Sequence, residues 1–159
     1  MLEIKLFILI GIANGTPIIA RLIAGPQLIL PLDCNKVFLD KKPIFGTSKT
    51  VLGLISSLSV TAVCAYGLGF SLLFGLLIGS CAMAGDLLSS FIKRRLNLAP
   101  STSVPGLDQI PEALLPMLLA KLAFDVSWAS IFTVVIAFII FNLVISRFIY
   151  KHKNANTPR

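Results

Sequence analysis

Apolar residues run along this chain in long uninterrupted stretches, not in the short alternation of a half-buried strand or the narrow stripe of a surface helix. Five windows, Ile4 to Ala24, Thr50 to Gly67, Phe70 to Ile92, Leu107 to Phe124 and Ser127 to Ile149, each approach the roughly 20 residues with which a helix crosses a bilayer. The pattern predicts five transmembrane helices in one domain, residues 1–159. Their connections alternate. Segments 25–49 and 93–109 are long and basic, whereas Gly67 to Phe70 and Asp125 to Ser127 are tight. Long loops gathered at one end of a bundle predict a site at that end.

Composition turns this pattern into a fold class. With 159 residues, 56% hydrophobic and 13% charged, and a mean hydropathy of +0.91, the chain has too little polar surface to clothe a soluble core. An all-α integral membrane protein is expected. No small-residue cleavage pattern follows the first apolar run, so that run reads as a retained span and not a removed signal. The net charge of +7 reports loop orientation before it reports a nucleic-acid partner, and no aromatic and basic interleaving marks such a partner. Lys36, Lys41, Lys42 and Lys49, then Lys93, Arg94 and Arg95, then Arg147, Lys151, Lys153 and Arg159 fall on one side. The positive-inside rule makes that side the cytoplasm. The expected protein is therefore multi-pass in the cell membrane, with its N-terminus outside, its C-terminus inside and its active site facing the cytoplasm.

Several residues interrupt the apolar runs. Asn14, Gly15, Thr16 and Pro17 break the first and Pro116 the fourth; such breaks persist where protein or a wet cavity satisfies the freed backbone, so a polar cavity open to the cytoplasm is expected. Gly11 with Gly15, and Gly75 with Gly79 and Ala82, recur at helical spacing and predict close helix contacts. Lys121 is expected to snorkel. Cys34, Cys64 and Cys81 have neither framework nor CxxC spacing, and His152 has no partner spaced for a metal.

Chemistry concentrates in three places. In GDLLSSFIKRR, Gly85 to Arg95, an aspartate lies deep in an apolar run, where a charge costs about 2.5–3.5 kcal/mol on insertion scales. Asp86, Ser89, Ser90 and Lys93 fall at i, i+3, i+4 and i+7 and share one helix face. Asp86 reads as a functional carboxylate, or else as half of an ion pair with Arg21 or another base. In the first loop, Asp33, Lys36, Asp40, Lys41 and Lys42 precede FGTSKTVLG, Phe45 to Gly53, at the second helix start, which offers unpaired amides to a phosphate or is an ordinary cap. GTSKT lacks the glycines and preceding strand of a P-loop. Asp108, in Leu107-Asp108-Gln109, reads as a helix cap or an acidic site residue.

These residues resemble the phosphatidate cytidylyltransferase superfamily, and more closely its small archaeal branch, the CDP-archaeol synthases. Ser48, Lys49, Thr50 and Gly53 fit the superfamily's helix-opening run. Gly85, Asp86, Leu87, Ser90, Lys93, Arg94, Leu107 and Asp108 fit its signature. The bacterial pattern has a glutamate where this chain has Ser89, a second aspartate where it has Pro111, and a glycine and histidine run where it has Pro105 and Gly106. These departures favour the archaeal branch.

The resemblance implies transfer of CMP from CTP to a prenylated glycerol phosphate lipid, digeranylgeranylglyceryl phosphate in the archaeal branch. The product would be a CDP-lipid of ether phospholipid biosynthesis, with pyrophosphate. It also implies Mg²⁺ held by Asp86 and Asp108. Asp86, Lys93, Arg94 and Lys49 would be catalytic. Asn14, Asp33, Lys36, Asp40, Lys42, Gly46, Ser48, Lys49, Thr50, Ser90, Lys93, Arg94 and Arg95 would contact nucleotide or phosphate. Three rivals differ in class. A CDP-alcohol phosphotransferase needs an aspartate-rich signature in which the Gly85-Asp86 order is reversed. A small ion or solute transporter would use Asp86 and Arg21 as an intramembrane relay. A scaffold would use its loop charges only for topology.

Overall fold

The computed structural model describes the backbone of residues 1–25 and 30–155 and the side chains of these through residue 147. It contains five helices: α1 Leu2–Ala24, α2 Val51–Gly67, α3 Leu72–Arg95, α4 Gln109–Phe124 and α5 Trp128–Ala155. α1, α3 and the Trp128–Arg147 stretch of α5 are long and apolar enough to cross a membrane, and α2 is a shorter apolar helix. Large apolar side chains such as Leu22, Val63, Leu73, Leu122 and Phe132 lie exposed around the bundle. A hydrocarbon solvent suits that surface, whereas water does not. The side chains of Lys151, Lys153 and Arg159, used above to orient the chain, lie outside the described residues.

The bundle divides along its length. Leu6, Leu9 and Ile10 of α1 pack with Phe74 and Ile78 of α3, Ala113, Met117 and Ala120 of α4, and Ile131, Val134 and Phe138 of α5. This dry half lies toward the tight turns α2–α3 and α4–α5. There Phe70, Phe74 and Phe124 cluster with ring centroids 5.0–5.5 Å apart. Lys5 and Lys121 finish that end: Lys5 Nζ donates to the Leu68 carbonyl at 2.8 Å, and Lys121 Nζ to the Val126 carbonyl at 3.0 Å while lying 5.1 Å from the Trp128 ring. Both amines thus satisfy turn carbonyls while their stems cover apolar surface.

Two glycine stripes behave differently. A Cβ on Gly75 would lie 2.6 Å from the Ala62 Cα, so α2 and α3 touch backbone to backbone there. Gly11 and Gly15, expected to do the same for α1, have nothing within 4 Å of such a Cβ. They floor an apolar groove walled by Phe7, Ile8, Val60, Cys64 and Phe141.

Pro17 does not end α1. It removes the donor that Ala13 would receive four residues on, and Ser57 Oγ of α2 supplies a replacement at 2.7 Å. Cys64 and Cys81 are partly buried and Cys34 is exposed, all as free thiols.

Candidate active site

Beyond the dry half, all five helices and both long loops wall a polar cavity of about 440 Å³. That volume lies in the range of small-molecule sites. α3 supplies its main face. Asp86, Ser90, Lys93 and Arg94 line it, with Lys49, Thr50 and Gly53 at the α2 start and Asp108, Gln109 and Glu112 at the α4 start.

Local sequence explains each placement. Thr50 caps α2 by accepting from the Gly53 amide at 3.1 Å, and the Gly53 Cα faces Pro17, so the α2 start packs on the proline turn of α1. That fixes Lys49, whose amine pairs with Asp86 Oδ1. Gly85 brings α3 against α4 so closely that a Cβ there would overlap the Pro111 carbonyl and lie 2.7 Å from the Glu112 amide. The approach sets Glu112 in the same cavity wall as Asp86, Lys49 and Asp108.

The loops are ordered by their own polar groups. Asp33 accepts from the amides of Asn35 at 3.0 Å and of Phe45 and Gly46 at 2.9 Å each. Burial alone would raise the Asp33 carboxyl, but these amides outweigh it and hold it below the ordinary carboxylate value. Backbone bonds from Leu32 to Lys49 and from Val51 to Leu30 close the neck of the first loop at 2.8 and 3.0 Å. In the second loop, Lys93 pairs with Asp108 at 2.7 Å and donates to the Thr102 carbonyl at 3.0 Å, while Arg94 Nη2 donates to Ala99 at 2.9 Å. Arg94 is only 5% exposed, yet its Nε and Nη1 have no protein acceptor among the described residues. Those donors suit an incoming anion.

The structure therefore brings together Asn14, Ser48, Lys49, Thr50, Asp86, Ser90, Lys93, Arg94 and Asp108. Asp33, Lys36, Asp40, Lys42, Gly46 and Arg95 lie outside the cavity wall. Arg95 pairs with Asp40 at 3.0 Å and rests 4.7 and 5.1 Å from the Phe91 and Phe38 rings, and Lys42 Nζ donates to the Arg95 carbonyl at 3.0 Å. Together they latch the first loop to the end of α3. Gly46, at φ 88°, turns the chain beside Arg94. Asp108 makes no side-chain cap to α4; its Oδ2 accepts from Val104 at 3.0 Å. Asp86 pairs with Lys49 and not with Arg21, so the two-residue relay of the transporter reading is not formed.

Glu112, Gln109, Asn142 and Ser146 also line the cavity and were not singled out from sequence. Their signal is spacing: Glu112 follows Asp108 by four residues, as Ser146 follows Asn142, and such pairs share a helix face. Among the described residues no three His, Cys, Asp or Glu side chains form a metal-ligand group. Two carboxyls, Asp86 and Glu112, nevertheless line the cavity with Lys49, which pairs with Asp86. Hard oxygen donors in that number fit Mg²⁺, which takes one or two carboxylates with water and substrate phosphates instead of an all-protein cage.

Known proteins resemble this chain in sequence and fold. A family model described as CarS-like, CDP-archaeol synthase, matches residues 3–156. A CDP-archaeol synthase of Staphylothermus marinus is 35% identical over 113 residues, covering 67% of this chain and 61% of the relative. One of Thermococcus onnurineus is 36% identical over 153 residues, covering 89% and 82%. The matched stretch thus spans about three fifths of the Staphylothermus protein. A solved structure described as an intramembrane enzyme for archaeal membrane lipids biosynthesis superposes with a TM-score of 0.74 at 27% identity, covering 90% of this chain and 91% of that one. With the family match running almost from end to end, the chain belongs to the CarS-like CDP-archaeol synthase family.

Proposed function

We propose that this protein transfers CMP from CTP to a prenylated glycerol phosphate in the membrane, giving a CDP-lipid and pyrophosphate for archaeal ether phospholipid synthesis. Family membership gives the reaction class. The observation that carries the reading is a cavity in an apolar bundle where Asp86 and Glu112 meet Lys49, Lys93 and Arg94. Carboxylates beside phosphate-binding cations are the inventory that nucleotidyl transfer requires.

In this reading an oxygen of the lipid phosphate attacks the α-phosphorus of CTP. A new P–O bond forms as the bond from that phosphorus to the β-phosphate bridge breaks, and pyrophosphate leaves. The nucleophile is already an anion at neutral pH, so no serine, cysteine or histidine is needed to activate it. The protein's work is alignment and charge stabilisation. Lys93 and Arg94 hold triphosphate oxygens, Arg94 through the donors it does not use within the protein. Lys49 stands at the junction of Asp86 and the incoming phosphate. Ser48, Thr50, Ser90 and Asn14 offer neutral polar contacts to nucleotide and phosphate. Asp33, Asp40, Lys36, Lys42, Gly46 and Arg95 act by shaping the loop. Asp86, with Asp108 and Glu112 as further donors, would hold Mg²⁺, which supplies stabilisation of the charge gathering on the α-phosphate oxygens.

The finer topology belongs to the same proposal. Residues 1–159 form one domain of five transmembrane helices, with the N-terminus outside and the cavity open to the cytoplasm, where CTP is found.

Lipid-dependent pyrophosphate release by the purified protein tests the reading. The wild type is expected to release pyrophosphate only with CTP, Mg²⁺ and a lipid phosphate together. Asp86→Asn is expected to fold and to lose at least about a hundredfold in rate. Release that is independent of lipid, or an active Asp86→Asn protein, contradicts it.

A further inference from the structure

The first loop carries a hairpin that turns apolar side chains outward beside a helix face suited to hydrocarbon. On α3, Leu77, Ala84 and Leu88 are exposed at spacings of seven and four, so they form one stripe along the outside of the bundle. Phe91 and Arg95 continue that stripe to the helix end. The loop touches down on these two residues. The Phe38 ring meets Phe91 edge-on at 5.3 Å, and Arg95 lies 5.1 Å from Phe38 while pairing with Asp40. The hairpin thus stands where the apolar stripe of α3 gives way to charge. In a membrane bundle that place is the headgroup border.

Its backbone holds the tip in place. The Phe38 amide donates to the Lys42 carbonyl at 2.8 Å, the Lys41 amide donates to the Phe38 carbonyl at 2.9 Å, and Val37 bridges Pro43. Asp40 and Lys42 are engaged with the end of α3, through Arg95 and its carbonyl. The other side chains are left bare. Val37 is 58% and Leu39 93% exposed, and Lys36 and Lys41 are exposed without an ion pair or side-chain hydrogen bond among the described residues. One exposed leucine would need no explanation. Two aliphatic side chains flanked by two uncommitted amines, on an ordered turn at the headgroup border, match a surface that is hydrocarbon inside and anionic outside.

We propose that the hairpin from Lys36 to Lys42 is a membrane-surface anchor, in which Val37 and Leu39 enter the edge of the hydrocarbon and Lys36 and Lys41 hold the phosphates of anionic lipids. The partner is the anionic lipid surface around the protein and not a substrate, since none of these four residues lines the cavity. The same loop carries Lys49 to the cavity wall, so the seated hairpin fixes that wall against the bilayer. The anchor goes beyond the transfer reaction and does not depend on it.

Fluorescence of the full chain in reconstituted bilayers tests this without turnover. Trp128 is the chain's one tryptophan, so in a Trp128→Phe background the indole of Leu39→Trp reports alone. The probes are phosphatidylglycerol and phosphatidylcholine brominated high on their acyl chains, each added as the same minor fraction of a phosphatidylcholine bilayer. Both lipids are expected to quench that indole, and the anionic one to quench it more, from a local enrichment of about fivefold or more. Adding Lys36→Gln with Lys41→Gln is expected to bring the two quenchers level. Val37→Trp is expected to give the same readings from the second apolar position, so the test does not hang on one variant. An indole that emits as in water and is quenched by neither lipid overturns the proposal; a hairpin that docks a soluble protein would give that result. Equal quenching by the two lipids while both lysines are present, or an anionic preference that survives their loss, overturns the anionic partner.

Discussion

Asp86 is held in an apolar bundle by Lys49, and the two charges protect each other from the penalty either would meet alone. Glu112 adds a second carboxyl to the cavity wall beside that pair. In the proposed reaction a cation completes the set. Glu112→Gln is therefore expected to fold and to lower turnover by about a hundredfold, measured as initial rates of CMP transfer at matched protein amounts. A variant with wild-type rate would remove Glu112 from the mechanism. Residue spacing made Asp86, Ser90 and Lys93 legible in the sequence, and Asp108 was legible through the family resemblance. It also limits what a basic run can do: consecutive helical residues point about 100° apart, so Lys93, Arg94 and Arg95 cannot all face one cavity. Arg95 turns to Phe38, Phe91 and Asp40 instead. Glu112 stayed hidden because its partner Asp86 is on another helix, and only the Gly85 contact brings the two together.

At the scale of elements, Gly85 sets the separation of α3 and α4. Gly85→Ala places a methyl group on the Pro111 backbone, which has no flexible side chain to yield. The helices must part, and the expected result is loss of CMP transfer with a lowered unfolding temperature; a stable and active Gly85→Ala protein would show that the close approach is not required. The first loop answers to Asp33. Its folded pKa is depressed, so its stabilising effect is fully present above the ordinary carboxylate value near 3.8 and is lost as pH falls through the lower folded value. Asp33→Asn should lower the unfolding temperature at neutral pH, and its deficit against wild type should shrink as pH falls from about 5 to about 3. An unchanged deficit across that range would show that the carboxylate charge is not what holds the loop. Helix positions were readable from apolar runs, but the roles of small residues were not. Gly75 lies in a backbone contact while Gly11 and Gly15 face an open groove, because spacing reports a stripe and not what packs on it. Pro17 likewise read as a break, yet Ser57 restores a bond to the freed Ala13 carbonyl and α1 continues.

For the whole molecule, the division into a packed half and a cavity half follows from the alternation of tight turns and long loops. Tight turns bring apolar helix ends together, and long loops spread the other ends and bring their charges over the gap. The sequence carried that alternation openly. It did not carry the packing of α1 on α5, where Phe7 meets Phe138 and Phe141. The central claim is that this cavity joins CMP to a membrane lipid phosphate. Tracing label from CTP in the purified, reconstituted protein tests it most directly. With the label on the α-phosphate the account predicts radioactivity in the lipid fraction, and with the label on the γ-phosphate it predicts radioactivity only in pyrophosphate. Label from the γ-phosphate in the lipid, or no lipid label from either position, would contradict it.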